Sequence, residues 1–144
     1  MSKFIFLSFF LLMVLKSNAQ ENVVWSYHYD AQNEALVIEA QIGEGWHLYS
    51  QHIDDGIGPV PTAFEFSENS AVKLLGKTVE PESIREYDPN FEGELNFFKD
   101  EVTFTQKIKA KESTILEGVV TYMICNDTMC LPPKDVKFTI SINI

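Results

Sequence analysis

The residues of this chain best suited to chemistry are two cysteines near its C-terminal end, Cys125 and Cys130, the only cysteines in 144 residues. A disulfide stabilises a protein mainly by closing a loop in the unfolded chain. A loop as short as this one contributes about 2 kcal/mol, against about 4.7 kcal/mol for a loop of about 100 residues. The spacing therefore favours redox chemistry over structural bracing, although an inert disulfide remains the competing interpretation.

Metal binding and a thioredoxin-type site are weaker interpretations of the same pair. Two cysteines do not complete a structural zinc site, and the three histidines, His28, His47 and His52, lie far away in sequence. A thioredoxin-type motif has two residues between its cysteines, at the start of a helix. Four residues separate the cysteines here, so the thioredoxin motif does not match. We expect dithiol–disulfide exchange, which needs neither a metal nor an organic cofactor.

The residues between the cysteines, 126–129, predict a four-residue hairpin loop. Residues that close such a loop lie opposite one another, with Cα atoms about 4.5–5.5 Å apart, which is within the range of about 4.4–6.8 Å that a disulfide requires. Pro132 and Pro133 stiffen the chain where it leaves the hairpin. Asp127 would raise rather than lower the pKa of a nearby thiol, so we expect slow exchange until a partner docks.

The elements that must hold this hairpin are predicted to be β-strands. Apolar residues alternate with polar or smaller ones in five stretches, separated by short turns: Val23–Tyr29, Leu36–Ile42, Val102–Ile108, Val119–Cys125 and Val136–Ile142. Longer irregular loops are expected over residues 51–61 and 81–93. The sequence therefore predicts an all-β fold, an antiparallel β-sandwich with immunoglobulin-like topology.

The first 19 residues are typical of a secretory signal peptide. A basic Lys3 precedes the apolar stretch Phe4–Leu15, and Ser17 and Ala19 are small residues at the −3 and −1 positions of a cleavage site. The apolar stretch is too short to span a bilayer, which takes about 20 residues. We therefore expect residues 1–19 to be removed and residues 20–144 to form one exported domain, in a compartment where disulfides persist.

The charge and the remaining motifs exclude several classes of function. Without Lys3 and Lys16 the chain has 9 Lys+Arg against 21 Asp+Glu, a formal charge of −12, which argues against nucleic acid and anionic lipid as partners. The turn at residues 54–56 lacks the further oxygen ligands of a calcium loop. His47 has no acidic neighbour in sequence and is assigned no proton transfer. We expect a monomer.

The cysteine hairpin, in the run Tyr122–Lys134, resembles the active-site hairpin of the periplasmic N-terminal domain of the thiol:disulfide interchange protein DsbD. The resemblance extends through residues 45–50, 91–93 and 97–100. It implies an immunoglobulin-like sandwich whose cysteines take reducing equivalents from a membrane-embedded DsbD-like donor and pass them to periplasmic thioredoxin-fold proteins. The chain would act as a stand-alone exported domain, with the other modules on separate proteins or replaced by other partners.

The resemblance also assigns roles to individual residues. It implies that Cys130 forms the mixed disulfide with partners, that Cys125 resolves it, and that Phe91 is the aromatic residue of a cap loop over the sulfurs. Phe91 as an ordinary loop aromatic, and the whole chain as a non-enzymatic binding module with an inert disulfide, are the alternatives. The further site residues expected are Asn90 and Glu92 in the cap loop, and Tyr122, Asp127 and Pro132 as supporting residues.

Three departures from the family pattern concern this site. Better-known members have one more residue between the cysteines, so the turn is tighter here. Glu92 replaces a tyrosine beside the cap phenylalanine, and Asn90 replaces an acidic residue before it. The electrostatics of the cap are therefore expected to differ from those of these members.

Overall fold

The computed structural model describes residues 21–54, 56 and 58–144. In these residues the chain forms eleven strands: β1 (Val23–Asp30), β2 (Ala35–Ile42), β3 (His47–Tyr49), β4 (Ala63–Phe66), β5 (Val72–Val79), β6 (Ile84–Asp88), β7 (Gly93–Phe98), β8 (Glu101–Ala110), β9 (Thr114–Tyr122), β10 (Ile124–Cys125) and β11 (Lys134–Ile142). None of the described residues belongs to a helix that could cross a bilayer. The predicted signal peptide, residues 1–19, lies outside the described residues.

The described strands form three antiparallel sheets. Two of them, in the orders β1-β2-β8-β5 and β11-β9-β4, are the layers of a sandwich. The third, in the order β10-β3-β7-β6, is smaller because its strands have only two to six residues. It carries the cysteine hairpin on its edge strand β10. The predicted all-β immunoglobulin-like sandwich is confirmed.

The main core lies between the two larger sheets, where the alternation predicted for β2 and β11 is confirmed. Leu36 and Ile38 of β2 and Ile142 of β11 are fully buried. Aromatic rings fill the centre of this core: the ring of Phe104 on β8 lies 4.9 Å from that of Phe64 on β4 and 6.2 Å from that of Trp25 on β1. The burial of these apolar side chains is the main driving force for forming the sandwich.

The predicted alternation of Val119, Thr121, Met123 and Cys125 is wrong in phase. Strand β9 buries its other face, which ends at Tyr122, and Met123 lies outside any strand. Strand β10 then continues in a different sheet, so its two residues, Ile124 and Cys125, are both buried. A one-residue break therefore transfers the chain from the main sandwich to the sheet that carries the cysteines.

Two loop expectations have different outcomes. The described part of residues 51–61 contains no strand, as predicted, whereas residues 81–93 contain strand β6. β6 is an edge strand whose residues are exposed except for Asp88, so it lacks the apolar alternation by which strands are recognised.

A bulge in β5 is held by one buried polar side chain, Gln106 of β8. Gln106 is 2 % exposed. Its amide Nε2 donates hydrogen bonds of 3.4 Å to the carbonyl of Leu75 and 3.3 Å to the carbonyl of Gly76. Its Oε1 accepts a hydrogen bond of 3.0 Å from the hydroxyl of Thr78. Gln106 thus satisfies backbone groups that the shift in register between Leu75 and Val79 frees from regular pairing.

Candidate redox site

Cys125 and Cys130 form a disulfide across the predicted four-residue hairpin loop. Their Cα atoms are 4.0 Å apart, closer than the predicted 4.5–5.5 Å. The side chain of Asn126 orders the loop, because its Oδ1 accepts hydrogen bonds of 3.0 Å from the backbone amide of Thr128 and 2.8 Å from that of Met129. The sulfurs therefore lie at the base of a tight turn whose conformation is held by its own first residue.

The two cysteines differ in their access to solvent. Cys125 is 0 % exposed and is paired with His47 of β3, whereas Cys130 is partly exposed. Of the two, Cys130 is thus the more exposed to an approaching partner. The structure therefore places the two cysteines in different environments.

A small apolar cluster, separate from the main core, surrounds the disulfide. Its buried members come from β3, β7 and β10: Tyr49, Leu95, Phe97 and Cys125. Partly buried residues pack against them from the neighbouring loops: Ile53, Phe91, Met123 and Cys130. The disulfide thus belongs to this small cluster and not to the core between the larger sheets.

The predicted cap loop joins β6 to β7 and lies against the cysteine hairpin. Phe91 packs on the small cluster, with its ring 6.0 Å from that of Tyr49 in an edge-on arrangement. The side-chain amide of Asn90 donates a hydrogen bond of 2.8 Å to the carbonyl of Asn126 in the cysteine loop. Glu92 is exposed, and its φ of 53° lies in the left-handed region. Phe91 therefore lies on the small cluster and Asn90 beside the cysteine loop.

Gly58 lets Phe91 settle in this position. A Cβ atom on Gly58 would lie 2.5 Å from Cδ1 of Phe91, and the φ of Gly58, +76°, is one that other residues rarely adopt. The loop before β4 therefore supports the ring of Phe91 through a close approach that only glycine allows.

The three predicted supporting residues occupy different environments. Tyr122 is part of the main core, where its ring lies 5.3 Å from that of Trp25. Asp127 is exposed in the cysteine loop. Pro132 is exposed and lines a cleft of about 210 Å³ together with Ile124 and Leu131. The hairpin thus has the small cluster beside it and an open cleft along the segment that follows Cys130.

A buried polar cluster beside the cap loop was not predicted from the sequence. Asp88, the last residue of β6, is 1 % exposed. Its Oδ2 accepts a hydrogen bond of 2.5 Å from the hydroxyl of Tyr49 and one of 3.0 Å from Nε2 of His47. Its Oδ1 accepts a hydrogen bond of 2.8 Å from the backbone amide of Asn90. His47 therefore does have an acidic partner, which lies 41 residues later in the chain.

The hydrogen bonds to Asp88 determine its ionisation. Burial alone would raise the pKa of this carboxyl group, but the hydrogen bonds from Tyr49, the amide of Asn90 and His47 outweigh burial, so the pKa of Asp88 lies below its ordinary value. Burial and the hydrogen bond to Asp88 raise the pKa of the Tyr49 hydroxyl. At neutral pH the cluster therefore contains a carboxylate and a neutral tyrosine.

Asp88 is expected to make the stability of the domain depend on pH in the acid range. Because its pKa is lower in the folded than in the unfolded chain, its stabilising effect is complete above the ordinary value of about 3.9. That effect is lost as the pH falls towards the folded pKa. We therefore expect Asp88→Asn to reduce the free energy of unfolding in urea more at pH 7 than at pH 3. Equal reductions at the two pH values would contradict this expectation.

The sequence model of a family described as the N-terminal domain of the thiol:disulfide interchange protein DsbD matches residues 17–142. The chain belongs to this family. No curated protein matches the chain. Among the described residues, no group of three or more histidine, cysteine or acidic side chains is placed to hold a metal ion.

Solved structures of DsbD N-terminal domains share the fold. The reduced form from Neisseria meningitidis has 18% sequence identity and a TM-score of 0.62, with 85% of this chain and 86% of that chain covered. A complex of the DsbD and PilB N-terminal domains from the same organism has 14% identity and a TM-score of 0.61, with 84% of each chain covered. The N-terminal periplasmic domain of ScsB from Proteus mirabilis has 16% identity and a TM-score of 0.55, with 81% of this chain and 44% of that chain covered.

Proposed function

We propose that this protein relays pairs of electrons by thiol–disulfide exchange at Cys125 and Cys130, as a protein-disulfide reductase of the periplasm. Its electron donor would be a membrane-embedded DsbD-like protein, and its acceptors would be thioredoxin-fold proteins. The observation that carries the proposal is the position of the disulfide, at a hairpin on an edge strand and outside the main core. Such a bond can open and close while the sandwich stays folded.

The exchange proceeds in two steps. A thiolate of the donor attacks Sγ of Cys130, the sulfur–sulfur bond breaks, and Cys125 leaves as a thiolate that takes up a proton. The second thiolate of the donor then attacks the donor sulfur that is bonded to Cys130. This releases Cys130 as a thiolate, which is protonated. The donor is thereby oxidised to a disulfide, and the disulfide of Cys125 and Cys130 is reduced to a dithiol by two electrons. The same steps in reverse reduce the acceptor.

The comparisons support the proposed protein acceptor and the proposed location, and the membrane-embedded donor rests on the family resemblance. One similar structure contains a DsbD N-terminal domain bound to the N-terminal domain of PilB, a second protein, and another is of a periplasmic domain. The predicted boundaries fit this location, with residues 1–19 removed on export and residues 20–144 forming the working domain. Within it, Cys130 would contact partners, Cys125 would resolve the mixed disulfide, and Phe91 with Asn90 and Glu92 would form the cap.

The reduction potential of the pair tests the proposal. A relay must lie near the potentials of thioredoxin-type partners, which span about −120 to −270 mV, whereas structural disulfides lie below about −300 mV. We expect a value in the first range when the protein is equilibrated in thiol–disulfide buffers and its thiols are counted by alkylation. The double variant Cys125→Ala/Cys130→Ala provides the unreactive baseline. A potential below −300 mV would favour a non-enzymatic binding module with an inert disulfide.

A further inference from the structure

The carboxylate of Asp88 connects the strand beside the disulfide to the cap loop. Its Oδ2 accepts hydrogen bonds from two side chains of β3, His47 and Tyr49, and its Oδ1 accepts from the backbone of Asn90. Asp88 and Tyr49 are almost completely inaccessible to solvent, and hydrogen bonds to an ionised group are stronger than those between neutral groups. One buried charge thus fixes the start of the cap loop relative to the sheet under it.

We propose that Asp88 is a positioning residue that keeps the cap loop closed and so sets the rate at which the disulfide reacts. The proposal rests on the role proposed above for Phe91 as the cap. It does not depend on the identity of any redox partner.

Two sets of contacts connect Asp88 to the cap. Along the backbone, the bond from Oδ1 to the amide of Asn90 orients the residue whose own side chain then donates to the carbonyl of Asn126 in the cysteine loop. Through the side chains, the hydroxyl of Tyr49 donates to Asp88 while its ring contacts the ring of Phe91. The first set ends at the hairpin that bears the disulfide and the second at the ring of Phe91, so loss of the carboxylate weakens both together.

A purely structural role for the same cluster makes a different prediction. If Asp88 only braces β6 against β3, its loss lowers global stability and leaves the reactivity of the disulfide in the folded protein unchanged. If Asp88 acts through the cap, the folded protein opens the cap more often. The disulfide then reacts faster in proportion to the population of the open form, provided that opening and closing are fast.

The test is the rate at which dithiothreitol reduces the oxidised protein under conditions in which it stays folded. This dithiol supplies two electrons and two protons and becomes a cyclic disulfide, so no protein partner is needed. We expect Asp88→Asn to raise the rate about tenfold, equivalent to about 1.4 kcal/mol of lost closure. Tyr49→Phe removes only one hydroxyl and should raise the rate by a smaller factor. It serves as the test variant if Asp88→Asn does not fold.

A double-mutant cycle decides whether Asp88 acts through the ring of Phe91. Phe91→Ala should raise the rate by itself, and adding Asp88→Asn or Tyr49→Phe to it should change the rate less than twofold. Gln106→Ala, which removes a buried polar side chain on another sheet, is the matched control. It should lower the free energy of unfolding without accelerating reduction.

Three results would overturn the proposal. They are an unchanged rate in both Asp88→Asn and Tyr49→Phe, the same acceleration with and without Phe91, and equal acceleration by Gln106→Ala. Because dithiothreitol takes the place of the partner, these results are independent of the reduction potential. A protein that fails the potential test can still have a cap held by Asp88, and a true relay can lack one.

Discussion

With Cys125 replaced by alanine, we expect Cys130 to accumulate as a mixed disulfide with its redox partner, whereas Cys130→Ala should accumulate almost none. In the first variant the thiolate of Cys130 attacks the disulfide of an oxidised partner, one partner sulfur leaves as a thiolate, and no neighbouring thiol of this chain remains to resolve the product. In the second variant the remaining thiol, Cys125, is fully buried. The expected contrast is close to all or none.

The two variants form a matched pair, since each removes one sulfur and leaves one thiol. Mixed disulfides would be trapped with acid, alkylated, separated on non-reducing gels and identified by mass spectrometry. Circular dichroism should show that both variants keep the sandwich, because a loop this short adds only about 2 kcal/mol to stability. Equal trapping by the two variants, or trapping by Cys125 alone, would contradict the assignment of Cys130 as the sulfur that meets partners.

Phe104→Ala should destabilise the domain by about 4 kcal/mol, the typical cost of removing a fully buried phenylalanine ring. Phe104 is completely buried and lies within about 6 Å, ring to ring, of Trp25, Phe64 and Phe98. Its loss would leave a cavity among rings that come from all three sheets. Since domains are stable by only about 5–15 kcal/mol, a large part of the total would be lost.

The same chemical change in the cap provides the control. Phe91→Ala also removes a phenyl ring, but this ring is only partly buried and packs on the small cluster, so we expect a loss of about 1 kcal/mol. Urea unfolding at pH 7 measures both values. Similar losses for the two variants would contradict the division of the apolar residues into a main core and a separate redox cluster.

The sequence was sufficient to predict the sandwich and the hairpin because both depend on local patterns. The alternation in Leu36–Ile42 and Val136–Ile142 reports burial on one face of each strand, and four residues between two cysteines impose a tight loop. The resemblance to the DsbD N-terminal family placed Phe91 and Asn90 beside that loop, where the structure also has them.

What could not be predicted depends on contacts between residues distant in sequence. Asp88 lies 39 residues from Tyr49 and 41 from His47, and no local pattern marks a carboxylate at the end of an exposed edge strand as buried. The phase error at Met123 has a similar cause. Periodicity assumes an unbroken strand, whereas here the chain changes sheets at a single residue.

The separation of the redox cluster from the main core also affects how this domain can be studied and how it can evolve. The disulfide, Phe91 and their neighbours form their own apolar cluster, although the sheet β10-β3-β7-β6 also contributes Leu48, Phe98 and Ile124 to the main core. The cap loop and the cysteine hairpin can therefore open locally while the sandwich stays folded, and their amide protons should exchange with solvent well before those of β8 and β9. Substitutions there can retune reactivity while the midpoint of a melting curve hardly moves. Thermal shift screens would then overlook the variants that matter most for electron transfer.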